Sequence, residues 1–71
     1  GIEPTKALVD NTTNILDVEY TAKTYNKLFL QQAYGTATVA QNIAERHGLL
    51  GLVSAFLVNR GYISSPQAIL G

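Results

Sequence analysis

The chain has 71 residues, five acidic and five basic side chains, one histidine and no cysteine. That length makes one small domain, residues 1–71, and rules out disulfides and cysteine zinc sites as its staples. Zero net charge with no basic face argues against binding nucleic acid through its phosphates.

Residues 1–13 read as an extended or partly ordered N-terminal arm. Pro4 can open a short turn over Lys6, Ala7, Leu8 and Val9, because proline is tolerated at the first helical position. Asp10, Asn11, Thr12 and Thr13 then form a cluster of turn and cap formers. Lys6 and Asp10 interrupt the early apolar residues, so no targeting peptide is expected there. Asn11-Thr12-Thr13 spells an N-glycosylation acceptor, which makes Asn11 a candidate modification site if the chain is secreted.

A helix is predicted over about 14–34, capped by Thr13 or Asn14. Ile15, Val18, Ala22, Tyr25 and Phe29 recur at steps of three and four and define its main apolar face. Glu19 and Lys23 are spaced for an i, i+4 ion pair. Leu16, Tyr20, Leu28 and Leu30 lie off that stripe. The helix is therefore apolar on two sides, and these four residues are a candidate second interface face. Gly35 is the expected break, with Thr38 and Gln41 as a capping box for the next helix.

The second predicted helix spans about 37–59. Ala40, Ile43, His47, Leu50, Ser54 and Leu57 keep helical spacing straight through Gly48, so the stretch after Gly48 reads as the far half of one longer helix, in which Gly48 and Gly51 either break the helix or allow close approach of another backbone. Its polar side ends at Glu45 and Arg46, and Leu49–Val58 is apolar all round. At ten residues this run is half a membrane span, and Asn59 and Arg60 end it, which argues against a simple transmembrane helix. Asn59-Arg60-Gly61 is a helix stop with Tyr62 placed to pack back. Ser64-Ser65-Pro66 opens a last helical turn over 65–70. Nothing suggests strands, so the fold class is all-α: a helical hairpin or small helical bundle.

Two local resemblances follow from these residues. Ile43-Ala44-Glu45-Arg46-His47-Gly48 resembles the first helix and turn of a helix-turn-helix. Val53-Ser54-Ala55-Phe56-Leu57, with Asn59, Gly61, Tyr62, Ile63 and Ser64, is similar to the second helix and exit of LacI-type repressor headpieces. That resemblance implies a DNA-binding regulator. Against it, the turn is one residue short, and the readout positions hold Gly51, Leu52, Ala55 and Phe56, which offer bases no hydrogen bonds. Leu57-Val58, Gly61-Tyr62-Ile63-Ser64 and Gln67 are similar to the N-terminal domains of type II secretion ATPases, a pattern that encodes a helix stop and restart.

No residue set points to catalysis, a metal, a cofactor or a small-molecule substrate. His47 stands alone and reads as a cap or packing residue at a helix end. The tyrosines at helical spacing read as core or interface. Charged residues make up 14% of the chain against a usual value of about 25%, which suits a subunit inside an assembly. The expected function is therefore structural: a self-assembling coat, filament or ring subunit whose partners are copies of itself. Leu49, Leu50, Leu52, Val53, Phe56 and Leu57 are its expected self-association residues, and Arg60 a candidate for an ion pair between copies. A DNA-binding regulator and a membrane-active amphipathic peptide are the alternatives. The sequence assigns no compartment.

Overall fold

An uncharged helix in a short chain must be covered by its neighbours, and the architecture follows from that demand. The computed structural model describes residues 5–22 and 27–71, with the side chains of 19–22 and 27 outside that description. Five helices occur in order, α1 (Lys6–Ala22), α2 (Lys27–Tyr34), α3 (Ala37–His47), α4 (Leu49–Asn59) and α5 (Gln67–Leu70), with no strand among the described residues. α4 is the centre: it packs against α1, α2, α3 and α5, while α2 also packs on α3. Leu52, Val53, Ala55 and Leu57 from α4 meet Leu16, Leu30, Ala40, Ala44 and Ile63 in one core. The fold is all-α and bundle-like, as expected; several boundaries and one helix face differ.

The first difference is the N-terminus. Residues 6–13 are helical rather than an extended arm, and Pro4 lies outside the described residues. Thr5 caps α1, its side-chain oxygen accepting from the Leu8 amide at 3.1 Å. Thr12 and Thr13, expected to cap or turn, sit inside the helix. Their hydroxyls donate to the Leu8 and Val9 carbonyls, each at 2.8 Å. A threonine so satisfied can be buried, and Thr12 is only 2% exposed. The Leu8–Thr12–Leu16 row therefore faces the core. Ile15 and Val18, from the expected inner stripe, face outward. The Glu19–Lys23 pair, Tyr20 and Tyr25 lie outside the described side chains, and so does the connection at 23–26.

Gly35, at φ 98°, ends α2 as expected, its amide donating to the Gln31 carbonyl at 2.8 Å. Thr36, not Thr38, then caps α3 by accepting from the Val39 amide. The second difference is at Gly48. Helical spacing runs through this residue, yet the chain turns there with φ 56° and ψ −126°, and α3 folds back on α4. The expected single helix over 37–59 is two helices. A β-carbon on Gly51 would stand 3.3 Å from the Ile43 carbonyl oxygen, so the glycine allows α3 to close on α4. At the far end of α4 the amides of Gly61 and Tyr62 reach back to the Val58 and Leu57 carbonyls, a Schellman stop with Gly61 at φ 81°.

The Gly51 contact can be tested by Gly51→Ala. Alanine favours helix by about 1 kcal/mol, but overpacking typically costs about 1–3 kcal/mol, and a helical carbonyl cannot retreat alone. The expected result is a net loss of about 1 kcal/mol, seen as a lower urea midpoint at unchanged slope. A raised midpoint would show that α3 is free to back away.

Candidate functional site

Among the described residues a cluster of buried polar groups forms where α2 packs on α4. Ser54 lies at mid-helix with no exposed surface, and its hydroxyl donates to the Gly51 carbonyl one turn earlier at 2.8 Å. The Tyr34 hydroxyl, arriving from the last residue of α2, donates to the same carbonyl at 2.7 Å and also meets the Ser54 hydroxyl. Burial pushes the Tyr34 phenol above its ordinary value of 10.0, against the lowering effect of its bond to Ser54. Activating a serine requires a base held in hydrogen-bond reach, whereas the groups bonded to Ser54 here are a phenol and a carbonyl. The cluster works as a latch between α2 and α4. Tyr34 and Ser54 are 20 positions apart, so no local spacing marked the pair.

His47 ends α3 and, with Asn42, Ile43 and Arg46, lines an open hollow of about 190 Å³ formed by one face of that helix. Among the described residues no group of three or more histidine, aspartate or glutamate side chains stands close enough to hold a metal ion.

The expected self-association residues divide in two. Leu52, Val53 and Leu57 lie in the chain's own core and present almost no surface to another copy. Leu49 and Phe56 are half-buried, and Leu50 is exposed. The reason is coverage. The helical start at Lys6 lets α1 seal a side of α4 that a helix starting at Asn14 would have left open. The expected second face behaves likewise: Leu16 and Leu30 are core, Leu28 is exposed, and the Tyr20 side chain is outside the description. Arg60, expected to seek a carboxylate on another copy, lies over the Phe56 ring at 4.6 Å, with Phe29 tilted against the same ring at 6.4 Å. Asn11 is exposed on α1, inside a formed helix. Among the described residues the outward large apolar side chains are Ile15 and Val18 on α1, Leu28 on α2, Val39 on α3, Leu50 on α4 and Tyr62.

The resemblance to a helix-turn-helix ends at this geometry. One residue, not the usual three or four, joins α3 to α4, and the would-be recognition helix is enclosed by its neighbours. No helix of the described residues is long and apolar enough to cross a membrane. No protein-family model, curated protein or solved structure matches the chain.

Tyr34→Phe isolates the latch. The variant keeps the ring and the Ser54–Gly51 bond, so the expected cost at neutral pH is about 1 kcal/mol in chemical unfolding. Because the folded phenol titrates above its unfolded value of 10.0, its contribution is complete below pH 10.0 and is lost as pH rises through the folded value. The stability gap between the parent and Tyr34→Phe should therefore close in strongly alkaline solution. A gap that persists or widens there would mean the phenol ionises at least as readily folded as unfolded.

Proposed function

We propose that the chain is a structural subunit that associates with copies of itself, with the outer row of α1 as its contact face. The observation that carries this reading is Val18, 72% exposed, one helical turn from Ile15 at 47%. Two large branched apolar side chains on a short helix gain free energy when another surface covers them, about 25 cal/mol for each Å² removed from water. A second copy suits that face because the chain has zero net charge and few charged residues, so copies approach without long-range repulsion. Small size without disulfides favours the same outcome, since association is the remaining route to added stability. The uncharged α4 supports the assembly from inside, as the core that keeps α1 in place.

Light scattering across a concentration series tests this. With the chain kept folded throughout and never refolded, the parent should gain mass with concentration, and Ile15→Asn with Val18→Asn should hold the monomer mass while keeping the parent's helicity. A parent that stays monomeric at millimolar concentration, or a double variant that associates as strongly, would remove α1 as the contact face.

A further inference from the structure

We propose that Gly48 is a hinge at which α3 and α4 can straighten into one helix, exchanging α4 and α5 between two copies of the chain. Three observations lead there. Gly48 holds φ 56° and ψ −126°, a conformation that an L-residue with a β-carbon avoids and that ends one helix and starts the next in a single residue. Nothing lies within 4 Å of where a β-carbon would stand on Gly48, so the backbone angle alone, and no packing contact, requires glycine. The apolar spacing of Ala40, Ile43, His47, Leu50, Ser54 and Leu57 is that of an unbroken helix.

The straight form forces the exchange. A helix over residues 37–59 would run about 35 Å at about 1.5 Å per residue, longer than any dimension of the 27 × 25 × 19 Å molecule. α4 would then leave the pocket formed by α1, α2 and α3, exposing Leu52, Val53 and Leu57, unless it entered the same pocket of a second copy. There it regains each contact of the closed form, including Tyr34 with Ser54 and Gly51 with the Ile43 carbonyl. The two states share their interior and differ at one joint, the condition under which swapping is cheap. This association uses no exposed apolar face and stands independently of the α1 surface.

The test uses synthetic 71-residue chains carrying Ile15→Asn and Val18→Asn, so that association through α1 is removed. Gly48→Ala should weigh twice the monomer mass with unchanged helicity, and mixed isotope labelling should give contacts between Tyr34 of one copy and Ser54 of the other. A D-alanine at position 48 adopts the observed angles without strain, since they mirror an extended L-residue, and should stay monomeric. Relief of strain in both copies should make dimerisation of the L-alanine chain tighter by about a hundredfold. A folded Gly48→Ala monomer, or a dimer whose Tyr34–Ser54 contacts stay within each chain, overturns the proposal. If Gly48→Ala does not fold, the glycine chain refolded at millimolar concentration decides. A twofold species with cross-chain contacts is expected there, and its absence overturns the proposal as well.

Discussion

The enclosure of α4 is the constraint from which the other features of the bundle follow. Leu49–Asn59 carries no charge, and Val53, Ala55 and Leu57 have no exposed surface. Burying one leucine or valine contributes about 1.5–3 kcal/mol, a large part of the about 5–15 kcal/mol by which a domain is stable. Four helices around one central helix is a demanding arrangement for 71 residues, and small residues make it possible. Gly51 and Ala44 let α3 approach closely, and Ser54 leaves room for the Tyr34 ring to bring its hydroxyl to the backbone of α4. Larger side chains at these places would hold the surrounding helices off and admit water to the core.

Among the described residues, the buried polar groups of this core are ones that can be satisfied locally. Ser54 and Thr12 each donate to a carbonyl of the preceding turn of their own helix, so neither depends on a distant partner to be buried. Tyr34 adds the long-range bond, and its position beside Gly35 gives α2 a fixed end. Gly35 sets where α2 stops, and the latch sets how closely it lies on α4.

This division explains which features could be read along the chain. The helical class, the stop at Gly35 and the stop at Gly61 are local: each is carried by a glycine of positive φ and the carbonyls just before it. The inward face of α1 is not local. Thr12 and Thr13 resemble turn formers because their hydroxyls compete for the backbone. Whether they do so within a helix depends on the burial of the Leu8–Leu16 row against α4. The Ile15–Val18 stripe stands out in the sequence for the same reason, since a helix begun at Asn14 has no Leu8 or Thr12 to define another. The Tyr34–Ser54 latch and the half-buried Phe56 under Arg60 were invisible for a similar reason, being made between α2 and α4 or by an unusual use of a cation.

Gly48 shows why periodicity alone cannot fix the path of this chain. Residues on its two sides follow one helical spacing, which taken alone is that of the straight form. Backbone energy favours the straight form at any residue with a β-carbon; glycine removes most of that preference. What remains is coverage. In one copy the bent form alone encloses α4, because a straight helix would outrun the body that must cover it. The bend is thus selected by the demand for burial and permitted by the glycine. Anything that satisfies the same burial from outside the chain, as a second copy does, takes away the reason for the bend.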